Sequence, residues 1–289
     1  MTTKSAFTGQ SRPHPTSDGY MVGFPAQHVM LVTINRPAQM NSITYQLHWD
    51  MDSLINWFED EPELRVAIVT GAGKKSFCAG SDLIEMLKVD DAAGSKSAHE
   101  EHEGHKHPLS GFAGISRRSG RKPIIAAVNG YALGGGWEIA LNCDVVVASP
   151  TATFGLPEPK VGQYAYSGGL PRLVRSAGLH IASYIALSGR SITAQEALGY
   201  GLVNKVSRSG DSLIAEAVEV AGEIAALSPD AIIVTRAALR EAWKTADVEV
   251  AFQDIHRTLY PKLKQGENFR EGLAAFRDKR APSWKPSKL

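Results

Sequence analysis

The segment Asn129-Gly130-Tyr131-Ala132-Leu133-Gly134-Gly135-Gly136-Trp137-Glu138 places a triple glycine at the mouth of a helical pattern that runs through Leu141. Two apolar runs flank it, 123–128 and 144–148, both rich in Val, Ile and Ala and both read as buried strands. The same alternation extends toward the N-terminus. Residues 29–34 form a strand closed by Asn35-Arg36-Pro37, and residues 44–59 carry a helical stripe of Leu47, Met51, Leu54, Ile55 and Phe58. A second buried strand at 66–70 ends in Gly71-Ala72-Gly73, and a short strand at 76–79 leads into a helix from Asp82. Strand, glycine turn and helix recur to about residue 205, which predicts an α/β core over 21–210. The chain then changes character. Residues 211–227, 230–246, 247–264 and 267–279 all read as helices, so 211–289 is predicted to be a helical C-terminal region. Thr193-Ala194-Gln195-Glu196 is a capping box that opens one further helix. Residues 1–20 read as a flexible polar arm.

Composition narrows the function. The 289 residues hold 31 basic and 30 acidic side chains for a net charge of +1, which builds no broad positive field and argues against nucleic-acid binding. No apolar run reaches the length of a membrane-spanning helix. The two cysteines, Cys78 and Cys143, are distant in sequence and suggest a reducing compartment. The last three residues, Ser287-Lys288-Leu289, form a peroxisomal address read by the import receptor, so a peroxisomal location is expected. His99, His102, His105 and His107 lie among Glu100, Glu101 and Glu103. Their spacing fits no standard metal motif, so they read as a solvated surface loop and no metal is expected.

Three short motifs carry chemistry. They are Phe77-Cys78-Ala79-Gly80-Ser81-Asp82-Leu83, the glycine segment above, and Phe154-Gly155-Leu156-Pro157-Glu158-Pro159. Glycines opening a helix expose backbone N–H groups at its positive end, a setting for an anion or for an oxyanion formed during reaction. The glycine triplet 134–136 supplies such N–H groups, and Ser81, at a strand–helix junction, offers a second source. Gly71-Ala72-Gly73 leads to Ser76 and does not complete a dinucleotide fingerprint, and no Walker lysine pattern is present. Glu138 sits in the first turn after the glycines, and Glu158 is bracketed by Pro157 and Pro159, which restrict its backbone. Two carboxyl groups converging on such donors suit general acid–base work on a polarised carbonyl compound.

These motifs, with Cys143-Asp144 and the downstream block Gly189-Arg190-Ser191-Ile192-Thr193-Ala194 through Val206, resemble the enoyl-CoA hydratase/isomerase (crotonase) superfamily from about Val29 to Lys279. The resemblance implies a spiral of ββα units, C-terminal helices that build trimers often paired into hexamers, and an acyl-CoA substrate bound in a bent shape. Coenzyme A is then part of the substrate and no cofactor is implied. It maps the oxyanion hole to the N–H groups of Ser81 and Gly135, and the substrate lining to Ala79, Gly80, Ser81, Asp82, Leu83, Gly134, Trp137 and Tyr166. It assigns Glu158 as acid/base at C2 and Glu138 as water activator. Retention of both glutamates favours hydration of a 2-enoyl thioester over the alternative, Δ3,Δ2-enoyl-CoA isomerisation. Other superfamily hydrolases or lyases are weaker readings, a serine hydrolase because Ser167 lacks the first glycine of a nucleophile elbow. The near-zero net charge and both retained glutamates argue against a non-catalytic acyl-CoA- or RNA-binding scaffold. Two departures stand out. Trp137 precedes Glu138, where a small residue or Cys is usual, and Gln163-Tyr164-Ala165-Tyr166 replaces a Thr-Ile-Pro-Gly-like stretch. Tyr166 falls where hydratases commonly have a glycine whose N–H helps hold the water. The reshaped cavity points to a branched or otherwise unusual acyl group, as in siderophore or toxin acyl-chain synthesis.

Overall fold

The computed structural model describes residues 12–88 and 107–289. A hairpin of β1 (Tyr20–Ala26) and β2 (Val29–Ile34) leads into helix α1 (Tyr45–Asp60), whose N-cap Thr44 accepts a hydrogen bond from the Leu47 N–H. After this come β3 (Val66–Gly71), β4 (Ser76–Cys78) and α2 (83–88), then β5 (Ile124–Val128), β6 (Tyr131–Leu133) and α3 (Gly135–Asn142), then β7 (Val145–Ala148) and β8 (Thr153–Gly155). Each turn of this spiral gives its first strand to one sheet and its second to another. The larger sheet runs β1-β2-β3-β5-β7-β10, where β10 is Lys205–Val206, and the smaller runs β4-β6-β8-β9, where β9 is Ser191–Thr193.

The smaller sheet positions the site. β4 pairs parallel with β6, and β6 pairs parallel with β8 through Tyr131↔Thr153, Ala132↔Phe154 and Leu133↔Gly155. Parallel strands in register end side by side. The residues that follow them are therefore neighbours: Ala79-Gly80-Ser81, Gly134-Gly135 and Leu156-Pro157-Glu158. The three motifs converge because three strands stop at one edge, with no need for the motifs to be close in sequence.

Both faces of the larger sheet are covered, which explains its unbroken apolar strands. Val66, Ile68, Ile125, Ala127 and Val147 pack against Leu213, Ala217, Ala221 and Ala225, the i, i+4 stripe of α7 (Leu213–Ala225). Ala67, Val69, Ala126 and Val128 face the main core with Met51, Leu54, Phe58, Phe77, Phe112 and Trp137.

The expected helical C-terminal region is present as α7, α8 (Pro229–Lys244), α9 (Val248–Thr258), α10 (Tyr260–Gln265) and α11 (Glu267–Arg277). The expected single helix over 247–264 is interrupted between α9 and α10. Pro261 follows directly, and it can sit in the first turn of α10 but cannot donate to a helix continuing from α9. Absent from the sequence reading were the edge strand β1, the short strands β6, β8, β9 and β10, and the helices α4 (Gly169–Ala177) and α5 (Leu179–Ser188). β1 contains Gly23 and Pro25, and its register with β2 shifts between Gly23 and Ala26, as an edge strand allows.

α8 is tied to the core by Asp144. Its carboxylate accepts from Arg236 Nε at 2.9 Å, from Arg240 Nη2 at 2.8 Å and from the Ile124 N–H at 2.9 Å. Burial alone would raise this carboxyl. The two guanidiniums outweigh it and hold Asp144 below the usual carboxylate range. Asp144→Asn leaves Arg236, 6% exposed, without its counter-charge. Urea unfolding at pH 7 is expected to show a loss of about 3 kcal/mol. A depressed pKa stabilises above the carboxylate range and loses that effect as pH falls through it, so the gap between wild type and variant should shrink below about pH 4.

Candidate active site

Gly80 and Gly134 are the two turn points of the site. Gly80 has φ +96°, and Gly134 has φ 54° with ψ −128°, a region that side-chain-bearing residues avoid. Contact is also close. A Cβ on Gly80 would lie 3.1 Å from the Leu133 carbonyl and 3.5 Å from the Gly135 nitrogen, and a Cβ on Gly136 would overlap the Cys78 carbonyl. The end of β4 and the first turn of α3 therefore meet backbone to backbone.

That contact aims two N–H groups. Ile43 bridges residues 80–82: its N–H donates to the Gly80 carbonyl at 2.9 Å, and its carbonyl accepts from the Asp82 N–H at 3.0 Å. Alternation along the bridged segment turns the Ser81 N–H away from Ile43. The Gly135 N–H is in the first turn of α3, where no intrahelical acceptor exists. Neither N–H has an acceptor among the described residues.

The glutamates flank these donors. A Cβ on Gly134 would lie 2.8 Å from Glu158 Oε1, so the Glu158 carboxyl rests over the glycine turn. Its Oε2 is buried with no hydrogen-bond partner among the described residues. Glu138 is 2% exposed, and its Oε1 accepts from the Gly169 N–H at 2.7 Å. Gly169 has no side chain because a Cβ there would press on Glu138 Cγ at 2.6 Å. Burial pushes the Glu138 carboxyl up to about 7 against the Gly169 N–H, and the nearby Glu158 charge adds to the rise. Burial likewise raises Glu158.

Both carboxyls open onto a cavity of about 280 Å³. Ala79, Gly80, Ser81, Leu83, Gly134, Gly135 and Tyr166 line it, together with Met86, Phe112, Val161 and Ser167. Two expected lining residues lie elsewhere. Trp137 is 1% exposed and packs in the core, its ring 5.9 Å from Phe154, because α3 turns that side chain away from the cavity. Asp82 pairs with Arg36 at 2.9 Å and accepts from the Glu85 N–H at the start of α2, so its role is to hold the strand–helix junction. His99, His102 and His105 lie outside the described residues. His107, expected in a surface loop, instead stacks on Tyr166. No helix among the described residues is long and apolar enough to cross a membrane.

Residues 25–287 match the family model described as enoyl-CoA hydratase/isomerase. The chain belongs to the enoyl-CoA hydratase/isomerase family. It is 48% identical over 276 residues to the mevalonyl-coenzyme A hydratase of Aspergillus fumigatus, covering 96% of this chain and 98% of that one. It is 39% identical to the 2,3-dehydroadipyl-CoA hydratase of Escherichia coli, covering 90% of this chain and 96% of that one. The crystal structure of enoyl-CoA hydratase from Bacillus anthracis superimposes with a TM-score of 0.81 at 32% identity, over 93% of this chain and all of that one. Within this family fold, Gly169 was not foreseen at the site and Ser167 was weighed only as a nucleophile, although Gly168-Gly169 before a helix was a usable signal.

The raised Glu138 carboxyl has a stability consequence. The native state keeps this proton to about pH 7, whereas an unfolded glutamate releases it near its ordinary 4.5. Stability therefore falls as pH rises between those values. Glu138→Gln removes the buried charge. Thermal melts should find the variant more stable than wild type at pH 8 by on the order of 2–3 kcal/mol, with the gap closing at pH 4.5. Equal gaps at both values would show that Glu138 is ionised normally.

Proposed function

We propose that this protein is an enoyl-CoA hydratase that interconverts a mevalonyl-type 3-hydroxyacyl-CoA and its 2-enoyl thioester. The observation that carries the reading is that buried Glu138, half-buried Glu158, and the acceptor-free N–H groups of Ser81 and Gly135 belong to residues lining one cavity. Support for the acyl class comes from the mevalonyl-coenzyme A hydratase that this chain resembles along nearly its whole length.

In the hydration direction, water oxygen bonds to C3 and Glu138 takes a water proton. The π electrons of C2=C3 shift toward the carbonyl, and negative charge develops on the thioester oxygen. The Ser81 and Gly135 N–H groups donate to that oxygen, a contribution typically worth about 10²–10³ in rate per donor. Glu158 delivers a proton to C2. Dehydration runs the same path backward: C2 gives its proton to Glu158, and the C3–O bond breaks as Glu138 protonates the leaving hydroxyl. Water is added or lost with no net redox change, so the scheme calls for no cofactor beyond the coenzyme A of the substrate. Each direction needs one carboxyl protonated and the other ionised. Two carboxyls raised toward neutrality can hold one proton between them, and their titration then belongs to the pair.

Glu138→Gln and Glu158→Gln should each lower kcat for hydration by at least about 10², with little change in KM, followed by loss of enoyl-thioester absorbance. A Glu138→Gln enzyme with near-normal hydration would remove the water-activating role. If Glu138→Gln also kept double-bond migration in a 3-enoyl-CoA while Glu158→Gln lost it, the isomerase reading would replace this one.

We further propose peroxisomal import through Ser287-Lys288-Leu289. The tail lies along the body of the protein, with Lys288 Nζ 2.5 Å from Glu267, the Ser287 hydroxyl donating to Asp230 and Arg121 donating to the Leu289 carbonyl. The Lys288 side chain is 81% exposed, so its pair with Glu267 is solvent-facing and weak enough to yield to a receptor. One residue added after Leu289 should leave a fluorescently tagged protein in the cytosol, and unchanged peroxisomal puncta would overturn the address. The trimeric or hexameric assembly implied by the family is proposed likewise, with Val248, Phe252 and Phe276 supplying exposed apolar surface on the C-terminal helices.

A further inference from the structure

One wall of the cavity is polar in a way that the hydration scheme does not use. The His107 ring lies parallel to the Tyr166 ring, 3° between planes and 5.2 Å between centroids. Tyr166 Oη is 3.4 Å from His107 Nε2, and Ser167 Oγ is 3.4 Å from His107 Nδ1. Tyr166 and Ser167 both line the cavity. Tyr166 is 40% exposed, whereas Ser167 is 2% exposed and anchored by its carbonyl, which accepts from Ser116 Oγ at 2.8 Å. Behind them His48 is buried, its ring 4.5 Å from those of His107 and Phe112, and its Nδ1 accepts from the Ala113 N–H at 2.9 Å. Burial, with His107 beside it, drives His48 down to about 3, so it packs as a neutral ring.

Hydrogen-bond capacity decides what this wall recognises. A neutral imidazole has one donor and one acceptor nitrogen. Held between two hydroxyls, it donates to one and accepts from the other. The hydroxyl that receives the ring proton keeps its own proton free, and both oxygens retain acceptor capacity. The wall therefore offers hydroxyl donors and acceptors and holds no carboxylate or ammonium of its own. A terminal carboxylate would add a further negative charge beside Glu138 and Glu158, both already raised by burial. Lys160 is the one cation lining the cavity among the described residues, and it is exposed at the rim. A plain alkyl tail would leave the buried Ser167 hydroxyl facing it.

We propose that Tyr166 and Ser167, set by His107, form a subsite that hydrogen-bonds a neutral hydroxyl on the acyl chain beyond C3. This rests on the hydratase reading above and specifies its substrate. A mevalonyl thioester carries such a hydroxyl at C5, and Leu83, Met86 and Phe112 supply apolar surface for the methyl branch at C3.

The test compares two substrates in the full-length enzyme, 5-hydroxy-3-methylpent-2-enoyl-CoA and its 5-deoxy analogue 3-methylpent-2-enoyl-CoA. Wild type should favour the hydroxylated substrate in kcat/KM by 10-fold or more, since a site built for a hydroxyl discriminates against the analogue lacking it. Tyr166→Phe keeps the stacked ring and removes the hydroxyl, and should cut that ratio at least several-fold, mainly through KM. Ser167→Ala should act in the same direction, and its thermal melt checks that the buried position still packs. Equal wild-type use of both substrates, or a ratio unmoved by Tyr166→Phe, overturns the subsite while leaving hydration intact. Failure of wild type to hydrate either one, with turnover of crotonyl-CoA, overturns the mevalonyl-type reading itself.

Discussion

Everything at this site depends on a backbone-to-backbone contact between the end of β4 and the first turn of α3. A methyl group at Gly136 would occupy the space of the Cys78 carbonyl, and one at Gly80 would crowd Leu133 and Gly135. Only chain without side chains can approach so closely. The consequence is electrostatic as well as steric. The helix start brings its partial positive end and an unpaired N–H close to the Gly80–Ser81 turn. An oxyanion hole made of backbone has no rotamers to order, so its donors are fixed before substrate arrives.

The same geometry sets the cost of the acid–base pair. Glu138 follows the glycines by one helical turn, and a helix that packs this tightly on β4 buries its first turn. The carboxyl cannot reach bulk water and is partly compensated by the Gly169 N–H. It stays proton-rich near neutrality. Glu158 reaches the same place from the neighbouring strand end and also lacks a full set of partners. A carboxyl that is poorly solvated when ionised is a weaker contributor to stability and a better proton carrier at neutral pH. The polar ties elsewhere, such as Asp144 between Arg236 and Arg240, run the other way and hold their charge.

Much of this was legible in the sequence because the signals were local. Apolar runs gave the strands of the larger sheet, covered on both faces, and the glycine and proline patterns marked Gly134, Gly135, Glu138 and Glu158 as a candidate group. The smaller sheet was harder to read. Its strands are three residues each, too short to show a period, and β9 joins antiparallel from far along the chain. Yet the register of β4, β6 and β8 is what brings the motifs together. Trp137 was misplaced for a related reason: next to Glu138 in sequence, it leaves the helix at about 100° from it and enters the core. His107 was read as part of a solvated loop and Ser167 only as a weak nucleophile, because neither belongs to a periodic element. They meet through long-range contacts, His107 against His48 of α1 and beside Ser167 just before α4.

This division separates chemistry from selectivity. The Ser81 and Gly135 N–H groups, Glu138 and Glu158 are all placed by strand ends and a helix start, and any shift in one disturbs packing at the Gly136–Cys78 contact. His107, Tyr166 and Ser167 sit on connecting segments, where substitution meets fewer packing constraints. A spiral of this kind can keep one set of reacting groups and exchange the wall opposite them. The stacked Tyr166–His107 pair in place of a small residue is such an exchange. It adds hydroxyl and imidazole to a wall shared with Leu83, Met86 and Phe112, so under the proposed scheme a change of acyl group requires no change in the backbone donors.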